Sequence, residues 1–112
     1  MIINYKGRKI DIRVRKEGFF SYCIGLMFKK RETENILFEF SKDGKWAIHS
    51  FFVFFPFVVL WMDNKNRIIE TKLVKPWSFH VKPRRKYRKL VEIPVNNGNR
   101  KIIEFIVGKG KI

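Results

Sequence analysis

Two groups of residues have side chains that could do chemistry. The first lies in "KPWSFHVKPRRKYRK", residues 75–89, where Lys75, Lys82, Arg84, Arg85, Lys86, Arg88 and Lys89 interleave with Trp77, Phe79, His80 and Tyr87. Cationic groups gain affinity for a phosphate chain by releasing its condensed counterions. Exposed rings stack on unpaired bases, each worth about 1–3 kcal/mol. The pattern therefore predicts an anion or nucleic-acid site, with charge from the arginines and lysines and stacking from Trp77 and Tyr87. Charge is also segregated along the chain: residues 64–91 hold ten basic residues against the single acid Glu70, whereas 36–63 hold two against three. The competing reading is a solvated loop with its rings packed inward, and the same charge would suit an acidic membrane or protein surface.

The second group is Cys23, His49, Asp63, His80 and Glu92. Either histidine could join Asp63 or Glu92 as an acid–base or metal pair, but their spacing matches no ligand motif. In "VEI", Val91 and Ile93 flank Glu92, and alternation predicts an outward carboxylate bridged to a lysine on a neighbouring strand. Cys23 has no histidine near it in sequence, and it and Met27 read as core residues. The glycine-bearing turns match neither a phosphate loop nor a dinucleotide fingerprint. No catalytic residue, metal or cofactor is expected. A hydrolase-type carboxylate site at Asp63 and Glu92 ranks last, and the reading leans away from an enzyme.

At 112 residues the chain makes one domain, 1–112, and its formal net charge is +15. One cysteine allows no intramolecular disulfide, which fits a reducing, cytoplasmic setting. The charged N-terminus does not resemble a signal peptide. "FFVFFPFVVLWM", 51–62, is wholly apolar. A bilayer span needs about 20 such residues, and Pro56 at the centre of the run would break a helix, so no transmembrane segment is expected.

The elements that must position these residues are short. "MIINY" and "KIDIRVR" read as an antiparallel pair over 2–5 and 9–15. Phe19, Phe20, Cys23, Ile24 and Met27 recur at helical spacing, which predicts one short helix near 16–24. "ILFEF", "WAIHSFFVFF", "FVVLWMD", "IIETKLV", "YRKLVEIPV" and "KIIEFIVG" read as strands, with turns at Asp43-Gly44 and "NNGN". The class is mainly β, a β-rich α+β domain: a compact antiparallel barrel or sandwich of about eight short strands.

In order along the chain stand "GLMF" (25–28), "ILFEF", "HSFFVFFP" (49–56), "WMD" (61–63), "KPW" (75–77) and "LVEIP" (90–94). Together they resemble domain of unknown function 192, an uncharacterised archaeal and bacterial family, over residues 8–112. The resemblance implies roles for Gly25, Leu26, Met27, Pro56, Asp63, Pro76 and Glu92, without saying what those roles are. Three positions depart from its pattern. Val58 stands where many members have an aspartate, Tyr22 where many have an arginine, and Gly108 and Gly110 are each followed by lysine instead of aspartate.

The leading reading is a non-enzymatic binding module for an anionic partner, RNA or single-stranded DNA, through 75–89. The alternative is a protein-interaction or small-ligand domain with an apolar surface. In that reading Phe51, Val53 and Phe55 form one face of a strand and Phe52 and Phe54 the other, and a homodimer through Phe51–Phe55 would cover the second face.

Overall fold

The structure, a computed structural model, describes residues 1–18, 25–78 and 80–108. Its first hairpin joins β1 (Ile2–Tyr5) to β2 (Arg8–Asp11) in antiparallel register, Ile3 opposite Ile10, across a turn at Lys6-Gly7. This is the expected opening pair, with its second strand ending at Asp11.

The remaining strands form one sheet: β3 (Arg15–Lys16), β4 (Ile36–Gly44), β5 (Phe57–Met62), β6 (Ile68–Val74) and β7 (Tyr87–Pro94). Their order is β3-β4-β7-β5-β6, with β3 parallel to β4 and every other pair antiparallel. β3 and β6 are the edges, so the sheet is the open middle layer of a sandwich.

All six residues of β5 are buried, which explains why "FVVLWM" shows no alternation. A strand covered on both faces needs apolar side chains on both. Phe57, Val59 and Trp61 point into one core, with Ile36, Phe38, Tyr87 and Leu90, under a layer of loops that contributes Leu26, Ile48, Val53, Phe55 and Val81. Val58, Leu60 and Met62 point into the other, with Leu37, Val91 and Ile93, under Ile3 and Ile12 near the hairpin and under a helix.

That helix, α1 (Arg100–Val107), overturns the last expected strand. "NNGN" is a helix start instead of a hairpin turn. Asn96 accepts the Asn99 N–H on its side-chain oxygen at 2.9 Å, and Asn99 donates to the Pro94 carbonyl at 2.8 Å. Asn96 thereby caps a 3-10 turn, Asn97–Asn99, that leads directly into α1, and Ile103 and Ile106, three apart, put one helical face on the sheet. Among the described residues no helix is long and apolar enough to cross a membrane. The helix expected near 16–24 falls mainly on 19–24, outside the described residues, and Lys16 belongs to β3.

"WAIHSFFVFF" is not a strand either. Residues 45–56 form a loop whose one ladder contact is an isolated bridge, Ile48 to Val81. The Phe51–Phe55 segment expected to be a pairing strand is therefore a turn. Its alternation survives in part, because Val53 and Phe55 enter the core and Phe52 and Phe54 point out.

Candidate functional site

Three loops meet at the end of the sheet where Phe57 pairs with Val74 and Pro94. Ser50 ties two of them together and is wholly buried. Its N–H donates to the Ser78 carbonyl at 2.7 Å, and its carbonyl accepts the Trp77 N–H at 2.9 Å. The Ser50 hydroxyl donates to the Lys75 carbonyl at 2.7 Å and accepts the Ser78 N–H at 2.6 Å. The third loop, the turn at Gly25–Phe28, joins through the Phe28 N–H, which donates to the Phe52 carbonyl at 2.9 Å.

Outside this knot the aromatic rings gather. Phe28 stacks on Phe52 with centroids 4.9 Å apart. Phe51, Phe52 and Phe54 meet Trp77 edge-on at 6.4, 4.9 and 5.9 Å. All five rings reach solvent: Phe28 is 70% exposed, Phe54 62%, Trp77 48%, Phe52 40% and Phe51 37%. A contiguous exposed apolar patch of this kind marks an interaction surface more often than chance.

The backbone under the patch is unusual. Phe28, Phe52 and Trp77 have φ of 59°, 58° and 62°, the left-handed region that favours glycine. A bulky residue there costs roughly 1–2 kcal/mol. Three of the five exposed rings thus sit where a glycine would hold the same turn with less strain and less apolar surface. Such outliers cluster at functional sites.

The basic segment divides. Lys75, Lys82, Arg84, Arg85 and Lys86 are exposed. Tyr87, expected to stack on a base, is instead core: it is 1% exposed, and its hydroxyl donates to the Trp46 carbonyl at 2.8 Å. Its ring packs edge-on to Phe40 and Trp46. A phenol that finds a buried acceptor loses nothing by entering a core, so its place in a basic run is no guide to exposure. Arg88 is half-buried and pairs with Asp43 at 3.0 Å, and Lys89 donates to Asn66 at 2.7 Å. The Arg84 N–H donates to Glu70, which lies four residues along β6 from Val74, roughly 13 Å at 3.3 Å per residue from the sheet end where the loops meet.

Glu92 is not on an outer face. It sits in β7 between Ile36 and Val59, 4% exposed, and its Oε1 has no hydrogen-bond partner among the described residues. Burial pushes its carboxyl up to about 8, against the opposing charge of Lys29. Alternation misplaced it because both faces of β7 are covered. Its head occupies the space above Gly25, whose φ is +55° and where a Cβ would lie 3.1 Å from Oε1.

Asp63 organises the β5–β6 turn. Its oxygens accept the Lys65 and Arg67 N–H groups at 2.9 Å each and the Arg67 guanidinium at 2.6 Å. Burial raises its pKa, but these donors outweigh burial and hold it below the usual carboxylate range. His49 accepts the Phe51 N–H at 3.2 Å. Asp63 lies four residues along β5 from Val59, the partner of Glu92, so the two carboxylates share no centre. Among the described residues no three His, Cys, Asp or Glu side chains are grouped to hold a metal ion.

The sequence profile of DUF192, described as an uncharacterized ACR, matches residues 1–105. The chain belongs to this family. It is 28% identical over 85 residues to UPF0127 protein PH1112 of Pyrococcus horikoshii, covering 75% of this chain and 72% of that one. It is also 28% identical over 99 residues to UPF0127 protein TK1120 of Thermococcus kodakarensis, covering 85% of this chain and 62% of that one. In fold it is similar to a crystal structure of a protein of unknown function from Novosphingobium aromaticivorans, with TM-score 0.72 and 11% identity, covering 90% of this chain and 74% of that one. A crystal structure from Sinorhizobium meliloti gives TM-score 0.67 and 18% identity, covering 91% and 81%.

Several of the positions that the resemblance marks lie close together. Gly25 faces Glu92. Leu26 is in the core and Met27 packs against it. Pro56 and Pro76 line one apolar pocket of about 330 Å³ with Leu73, Lys75 and Val95. Asp63 stands apart in its turn. Sequence reasoning missed Ser50 and Phe28 as site residues, and placed Phe52 and Phe54 on a strand face instead of a loop. A bulky side chain on left-handed backbone leaves no periodic signal.

Proposed function

We propose that this DUF192 domain is a non-enzymatic binding module for an anionic partner, single-stranded RNA or DNA first, with the aromatic loop cluster as its stacking platform. The observation that carries the reading is the placement of Phe28, Phe52 and Trp77, exposed and on left-handed backbone. Lys75 and Lys82 flank Trp77 in the chain, Arg84 stands beside Glu70 of β6, and the adjoining Arg85 and Lys86 are exposed. A net charge of +15 raises the local concentration of any polyanion.

Of the three tryptophans, Trp61 is fully buried, Trp46 is half-buried against the core and Trp77 is 48% exposed in the cluster, so a change in tryptophan emission on binding reports chiefly on Trp77. Titration with a short uridine oligonucleotide should give saturable quenching that weakens as salt rises from about 50 mM. Read by anisotropy of a labelled oligonucleotide, since Trp77→Ala removes the intrinsic reporter, Trp77→Ala or Phe52→Ala should each weaken binding by roughly 5- to 150-fold, the equivalent of about 1–3 kcal/mol. No binding at the lowest salt, or binding indifferent to both substitutions, refutes the proposal. A partner bound through the rings and insensitive to salt would favour an apolar protein surface instead, a reading supported by the mutual packing of the five rings.

A further inference from the structure

We infer that the open edge of β6 is a docking site for an extended acidic peptide segment bearing a bulky apolar side chain. This site lies beyond the nucleic-acid reading, and neither depends on the other. β6 ends the sheet, pairing only with β5. β1 meets only the start of this edge, where Asn4 bridges Arg67, and no backbone group of residues 69–74 bonds to another described segment apart from the β5 pairing. The edge is accessible: Lys72 and Leu73 are exposed and Thr71 is half-buried. A row of free N–H and C=O groups is a template for one more strand.

The side chains along the edge say what that strand should carry. Leu73 lies opposite Val58, on the α1 side of the sheet, and is 37% exposed. It forms one wall of the apolar pocket completed by Pro56, Lys75, Pro76 and Val95. A peptide paired with β6 places every second side chain on that face, so the one beside Leu73 enters the pocket. The intervening side chains fall on the opposite face, with Lys72 and with Arg84, whose side chain is 90% exposed. Acidic residues there would meet cations. Glu70, the only acid in residues 64–91, shares that face but is already paired with Arg84 at 3.9 Å, so the net charge there stays positive.

The same charges argue against a second copy as occupant. Pairing β6 with β6 would bring two Lys72 side chains and two chains of net charge +15 together. Edge lysines are a common guard against self-association.

The test uses a labelled eight-residue peptide with leucine and glutamate at alternate positions, and fluorescence anisotropy. Serine–glutamate and leucine–lysine peptides serve as controls. The leucine–glutamate peptide should bind at least ~10-fold tighter than either control, about 1.4 kcal/mol. Leu73→Asp, a surface change that leaves the core intact, should abolish this preference. On the wild-type chain, hydrogen exchange should show new protection at residues 69–74 when that peptide is added. Equal binding of the leucine–lysine peptide, protection confined to residues 50–54 and 75–78, no binding at all, or a stable homodimer by light scattering would each overturn the proposal. RNA titration of the Leu73→Asp variant should be unchanged, which separates this site from the aromatic cluster.

Discussion

Gly25 and Glu92 are complementary: the one lacks a side chain where the other places its carboxyl head. A methyl group at Gly25 would stand 3.1 Å from the Glu92 Oε1, on a backbone with φ of +55°. Gly25→Ala should therefore lose about 1–3 kcal/mol, combining the left-handed penalty with a contact that displaces a buried carboxyl. Urea denaturation measures this directly, and an unchanged midpoint would show that the turn relaxes freely.

Glu92 makes stability depend on pH with a sign opposite to that of a salt-bridged acid. Its ordinary value of 4.5 is raised to about 8 by burial in the fold. At a pH below about 4.5 both folded and unfolded chains hold the proton. Between there and about 8 only the folded chain keeps it, so this group's contribution falls as pH rises and levels off above about 8. Glu92→Gln, which cannot ionise, should flatten that slope. The variant should gain on the wild type by at least ~1 kcal/mol at pH 9 compared with pH 5. Parallel slopes for the two proteins would contradict the burial of the charge.

Ser50 should behave as a positioning residue for Trp77. Ser50→Ala removes the donor to the Lys75 carbonyl and the acceptor for the Ser78 N–H. A loss of about 1–3 kcal/mol is expected for leaving buried partners unpaired. Trp77 should also become more accessible to acrylamide quenching, a change that general destabilisation under native conditions would not produce. Ser50→Thr keeps the hydroxyl and should restore the quenching profile.

Phe28 offers a test of whether the exposed rings serve binding at the expense of stability. Phe28→Gly relieves a left-handed strain of roughly 1–2 kcal/mol and forfeits a stacking contact worth about 0.5–1.5 kcal/mol. The two nearly cancel, so the melting temperature should hardly move while ligand binding weakens. A large fall in stability would assign Phe28 to the fold instead.

Part of this molecule was legible from periodicity, and the failures have identifiable causes. The first hairpin, Ile36–Phe40 and the strands at 57–62, 68–74 and 87–94 each carry enough β-branched or aromatic residues between polar breaks to be read. The 45–56 loop reads as a strand because its residues are apolar. It is apolar because Ile48, Val53 and Phe55 fill the core from a loop. α1 was read as a strand because its helical face and a short apolar run look alike over eight residues. For Glu92, alternation marks the outer face only when one face is wet, and β7 has none from Leu90 onward. Exposure of Trp77 and burial of Tyr87, ten residues apart in one basic stretch, depend on contacts with Ser50 and Trp46 that no local pattern encodes.

The strand order also governs when the protein can acquire its structure during synthesis. β7 lies between β4 and β5, yet it is the last strand made. Until residues 87–94 leave the ribosome, β4 has no partner on that side and the β5–β6 hairpin stands alone with its apolar faces bare. A lone two-stranded hairpin is marginal in water. The nascent chain therefore carries "FFVFFPFVVLWM" uncovered until β7 emerges, and the central sheet assembles in one late step that β7 triggers.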